Sequence, residues 1–157
     1  MSVGFSQSRT VDELDALVVK IDNNPNLDSI VLDANEVYNQ TFDGGGNYIL
    51  FSIRDSLVKV RSEIGTSYGR FTTVLYLQDQ IPLKIIEKEE NFIWKDEDSS
   101  WDYSQINTVF KAVIYVTDYS NADTHTIKEG QRVLTEGACG LFEYDPAIER
   151  AKKLYNN

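Results

Sequence analysis

Asn47-Tyr48-Ile49-Leu50-Phe51-Ser52-Ile53-Arg54-Asp55-Ser56-Leu57-Val58-Lys59-Val60-Arg61-Ser62-Glu63-Ile64 carries apolar residues at alternating spacings of three and four. Leu50, Ile53, Leu57, Val60 and Ile64 form the seam, while Arg54, Asp55, Lys59 and Glu63 fall between them. That spacing predicts one central amphipathic helix over 47–64. Asp55, four residues before Lys59, adds a favourable pair on its wet side, and Gly65 supplies a left-handed stop. The seam needs a surface to cover, and the β-rich sequence that follows offers one.

Upstream, Gly44, Gly45 and Gly46 follow Phe42-Asp43. Glycines before a helix can turn backbone N–H groups toward a phosphate. Neither a Lys-Ser/Thr pair nor GxGxxG spacing is present, so the better reading is a hinge for the central helix. Residues 27–38 fit helical spacing through Leu27, Ile30, Val31, Ala34, Val37 and Tyr38, although Ser29–Asp33 alone also suits a short buried strand. Thr10 and Glu13 form a capping box that opens a helix ending at Asn23-Asn24-Pro25. Residues 1–9, with Phe5, are expected to be a flexible arm, and 10–157 a single domain.

Downstream, Phe71–Gln78 alternates with the period of a strand, and a second strand follows Pro82. Glu89-Glu90-Asn91 reads as a turn before a short strand Phe92–Lys95. Ile106–Asp118 is apolar on both faces and is expected to be central in the sheet. Asn121–Thr126 reads as a polar connection. Gln131–Thr135 and Leu141–Tyr144 are further strand candidates. Asp145-Pro146 then opens a short C-terminal helix, with Asp145 as its N-cap. The expected class is α+β: N-terminal helices and a central amphipathic helix packed on a mostly antiparallel sheet, closed by that last helix.

The 157 residues suit one domain, and 41% apolar content places it among globular chains. A net charge of −10 disfavours nucleic acid and anionic lipid as partners. Cys139 is the sole cysteine, so neither an internal disulfide nor a cysteine zinc site is expected. The first residues lack a charged segment followed by an apolar one, and no apolar run reaches spanning length. A cytoplasmic or virion location, without a signal peptide or membrane association, is the expectation.

Few residues point to chemistry. Asp96, Asp98, Ser100 and Asp102 alternate as oxygen ligands for a hard cation would. An EF-hand would need glycine at Trp101 and glutamate at Asn107, so no metal site and no cofactor are assigned. Glu87 on a strand face is one carboxylate among many. A Cys139–His125 dyad is arithmetically possible, but Cys139 sits between Ala138 and Gly140 and reads as inert. No catalytic signature such as GxSxG or HExxH occurs.

Trp94, Trp101 and Tyr103 flank the acidic Asp96, Asp98 and Asp102, the aromatic-and-charge mixture used in protein interfaces. With Phe5 in the arm, these are the expected contact residues. The expected function is therefore non-catalytic: a structural or assembly subunit working through contacts with other subunits, in a homo- or hetero-oligomer. Helices followed by a β-meander are similar, in architecture alone, to small ring-forming neck and tail-completion proteins of tailed phages; that likeness implies a virion component. The alternative is an acidic inhibitor or immunity-type protein for a basic partner. A small metal-dependent hydrolase built on the acidic loop is the third reading.

Overall fold

The computed structural model describes residues 8–133 and 144–157. Its elements are α1 (Val11–Asp22), β1 (Leu27–Asp33), α2 (Ala34–Tyr38), β2 (Gly46–Ile53), β3 (Ser56–Thr66), β4 (Gly69–Gln78), β5 (Ile81–Lys95), β6 (Ser100–Asp118), β7 (Asp123–Gly130) and α3 (Asp145–Tyr155). The seven strands form one antiparallel sheet in the order β1-β2-β3-β4-β5-β6-β7. Each strand pairs with its neighbour in sequence.

The predicted central helix is a β-hairpin. Arg54 and Asp55 turn the chain with φ of 49° and 62°, both left-handed, which is the backbone of a tight hairpin turn. The helix-like spacing has two causes. The turn separates Ile53 from Leu57, and a bulge puts Val58 between Leu57, paired with Ser52, and Lys59, paired with Phe51. Tyr48, Ile49, Phe51, Val58, Val60 and Ile64 are β-branched or aromatic, which favours a pleated surface. Lys59 does not pair with Asp55; its Nζ reaches Asp22 at 2.7 Å. Gly65 lies in β3 against the backbone of Gly44, so Gly44–Gly46 lead into a strand and not a helix.

The α+β class with several N-terminal helices is thereby corrected. The sheet begins at Leu27, not at Phe71, and only one long helix precedes it. Residues 27–38 divide into an exposed edge strand and a five-residue helix. Glu89-Glu90-Asn91 is no turn: all three are buried within the continuous fifteen-residue β5. The polar Asn121–Thr126 connection mostly belongs to β7. A single long helix, not a set of helices, precedes the meander, and α2 interrupts it after β1.

Other expectations hold locally. Thr10 and Glu13 form the capping box of α1. Pro146 lies in the first turn of α3, although the N-cap is Tyr144 and not Asp145. Arg9 donates its N–H to the Thr117 carbonyl at 2.8 Å, tying the start of α1 to β6. Most of the expected arm, with Phe5, and Cys139 with most of the strand expected over Leu141–Tyr144 lie outside the described residues; Gln131–Val133, the described part of the other expected strand, is not a strand.

Helices cover both faces of the sheet at the end carrying the Arg54-Asp55 turn. On one face Leu14 and Val18 of α1 pack with Tyr76, Leu83 and Tyr115. On the other, Ile148 and Ala151 of α3 join Tyr48, Leu50, Val60, Leu75, Leu77, Ile85, Ile114 and Val116. Two polar clasps fasten α1. Asp15 accepts from Lys84 Nζ at 2.7 Å and from the Tyr115 hydroxyl at 3.3 Å. Asp22 accepts from Lys59 Nζ at 2.7 Å and from the Tyr76 hydroxyl at 2.9 Å. Burial works to lower the Lys84 pKa, but the bonds to Asp15 and Tyr115 outweigh it and hold it above the ordinary lysine value.

Candidate interaction surface

Away from the helices, β5 and β6 run on as a long hairpin. Phe92, Ile93 and Trp94 favour extended backbone, and Ser99 at φ 49° helps reverse the chain at the tip. Trp94 pairs with Trp101 across the ladder, their ring centroids 5.0 Å apart and near edge-to-face. Tyr103 packs edge-on against Phe92 at 5.1 Å, and Tyr68, from the β3–β4 turn, lies 6.1 Å from Trp101. The Phe92 N–H donates to the Tyr68 carbonyl at 2.8 Å, which fixes that turn against the hairpin.

These rings remain open to water. Tyr103 is 64% exposed, Trp94 46% and Tyr68 39%. Large aromatic groups held in mutual contact yet exposed form a preorganised apolar platform.

Carboxylates border it. Asp96 and Asp98 are exposed at the tip. Asp102 accepts from the Ser104 hydroxyl at 2.6 Å and the Ser104 N–H at 3.0 Å, and pairs with Lys95 at 3.1 Å. Those contacts, the Ser104 bonds foremost, bring its pKa down to about 2. Its oxygens are therefore engaged within the hairpin, apart from the cation-ligand reading of the loop. Among the described residues no group of three or more His, Cys, Asp or Glu side chains is placed to hold a metal ion.

Next to the platform, a chain of ion pairs crosses the sheet: Arg61–Glu63 at 2.7 Å, Glu63–Arg70 at 3.8 Å, Arg70–Glu90 at 2.8 Å and Glu90–Lys88 at 3.1 Å. A depression of about 380 Å³, lined in part by Glu63, Arg70, Phe92 and Ile106, lies beside it. Glu87 forms an ion pair with Arg132, whose guanidinium lies over the Phe110 ring. Glu87 stands on β5, an interior strand of the sheet and not an edge. Glu89, 1% exposed, accepts from the Val133 N–H at 3.1 Å and from the Asn91 amide at 3.2 Å. His125 stands on β7 near Tyr115.

The chain matches no family model, no curated protein and no solved structure. No described helix is long and apolar enough to cross a membrane. The structure brings together Trp94, Trp101 and Tyr103 from the sequence-expected contact set, with Asp96, Asp98 and Asp102 around them. It adds Tyr68 and Phe92. Phe92 is visible in sequence as the partner that a continuous β5 would carry beside Trp94. Tyr68, on another turn, gives no local signal.

Proposed function

We propose that the protein is a non-catalytic assembly or binding subunit that holds other protein subunits through the aromatic platform of the β5–β6 hairpin. The observation that carries this reading is the exposure of Trp94, Tyr103 and Tyr68 while their rings pack with Trp101 and Phe92. Interfaces take much of their energy from such rigid aromatic anchors, ringed by polar groups that fix orientation. Assembly with copies of itself, in a ring or a larger particle, is the form tested first.

Native mass by light scattering tests it. The wild-type chain is expected above the mass of one chain, and Trp94→Ala or Tyr103→Ala is expected to return it toward that mass by weakening the contact about tenfold or more. Both positions are exposed, so their melting temperatures should stay close to wild type. A wild-type chain that stays monomeric at high concentration, or variants that assemble unchanged, would overturn self-assembly through this surface.

A second reading, the acidic binder of a basic partner, has its own support. From Ile21 to Ile53 the chain holds Asp22, Asp28, Asp33, Glu36 and Asp43, with no Lys, Arg or His.

A further inference from the structure

The two edges of the sheet are unlike. β7 carries Asp123, His125, Lys128 and Glu129 along its eight residues and ends at Gly130 with φ 74°. Its pairing with β6 is interrupted by a register shift. Charged side chains and broken register are the usual means of keeping an edge strand from accepting another. β1 is built otherwise. Its seven residues pair with β2 in unbroken register, without proline or bulge. Ile30 and Val31, at its centre, are 50% and 60% exposed.

The outward backbone groups of β1 follow from two bonds. In an antiparallel edge strand, alternate residues direct both N–H and C=O away from the neighbouring strand. The Ser29 N–H turns back to the Asp28 carboxylate at 2.8 Å, and the Leu27 N–H bonds the Asn24 carbonyl at 3.1 Å. Neither goes to β2. The odd-numbered residues therefore face the open edge, and Val31 sits in the middle of that row.

We infer that β1 is a docking edge that receives an extended, basic, apolar-alternating segment of another protein as an eighth strand. Ile30 and Val31 supply apolar contacts on the two faces, and the Val31 N–H with the outward carbonyls of Ser29 and Val31 supplies backbone bonds. The occupant's charge follows from the surroundings. Asp28 and Asp33 lie at either end of the strand, Glu36 is exposed on α2, the Ile21–Ile53 stretch lacks a cationic side chain, and Lys59, which lies over the Phe51 ring of β2, is paired with Asp22. A second copy presenting the same edge would set carboxylates against carboxylates, whereas a lysine-bearing strand would meet opposite charge. This edge is separate from the aromatic platform, so the two stand or fall independently.

A synthetic acetylated and amidated peptide of alternating lysine and valine is the probe, with a glutamate-for-lysine peptide as control. Calorimetry at low salt and amide hydrogen exchange by NMR are the readouts. The lysine peptide is expected to bind and to slow exchange at Val31, and the glutamate peptide to do neither. Val31→Pro removes one outward donor while leaving the β2 ladder its bonds. Asp28→Lys reverses the charge on an exposed site and covers the case in which the proline variant does not fold. Each is expected to weaken binding about tenfold or more. Absence of binding, binding without protection of the Val31 amide, protection along β7 instead, or undiminished binding by Asp28→Lys would each overturn the proposal. So would concentration-dependent protection of Val31 with no peptide present, since the occupant would then be a second copy.

Discussion

Glu90 is mostly buried and faces two cations, Arg70 at 2.8 Å and Lys88 at 3.1 Å. Burial works to raise its pKa, but hydrogen bonds from Lys88 and Arg70 outweigh this and hold it below the ordinary carboxylate value. A carboxylate depressed in the folded state stabilises the fold above its unfolded pKa and loses that contribution as pH falls through the folded value. Glu90→Gln is therefore expected to cost about 1–2 kcal/mol at neutral pH. It should also flatten the decline in melting temperature below about pH 4.5, a window set by the ordinary carboxylate pKa. Melting curves of both proteins across the acid range check this; parallel curves would contradict it. The same residue shows why sequence reading fails locally. Glu89-Glu90-Asn91 has the composition of a turn, and the partner that makes it a buried strand segment, Arg70, lies twenty residues away.

At the scale of elements, the β2–β3 hairpin shows how one pattern can fit two structures. Its apolar spacing is helical only because a two-residue turn and a one-residue bulge fall inside it. The β-branched and aromatic content was the better guide, whereas α1, with a capping box and a clear stop, was legible as it stood. The hairpin makes a prediction of definite sign. Arg54 and Asp55 both occupy left-handed backbone, which costs a non-glycine residue about 1 kcal/mol. Replacing them by Asn-Gly, the preferred pair for such a turn, is expected to stabilise the protein by about 1 kcal/mol in urea denaturation. In a helix the same glycine would destabilise by about that much. Of the interaction surface, Trp94, Trp101 and Tyr103 could be picked out beforehand because they cluster in sequence. Tyr68 could not, because only the β3–β4 turn brings it there.

Over the whole molecule, charge is unevenly placed. The net charge is −10, and most of the visible ion pairs are at least partly exposed, where each contributes only about 0–1 kcal/mol. Self-repulsion should therefore outweigh them at low ionic strength. The melting temperature is expected to rise by a few degrees as salt increases from about 0.02 to about 0.5 M, as the screening length falls below the spacing of surface carboxylates. Scanning calorimetry at several salt concentrations would show it; a fall would mean that the ion-pair chain from Arg61 to Lys88 matters more than its exposure implies.

Because the strands lie side by side in the order in which they are translated, each has its neighbour at hand soon after it leaves the ribosome. The first helix has no such luck. Its clasp residue Asp15 meets Lys84 after 69 further residues and Tyr115 after 100. The oily stripe of Leu14 and Val18 thus waits for Tyr76, Leu83 and Tyr115 before it can be sheathed, and the newborn chain carries it bare until then, at risk of clumping.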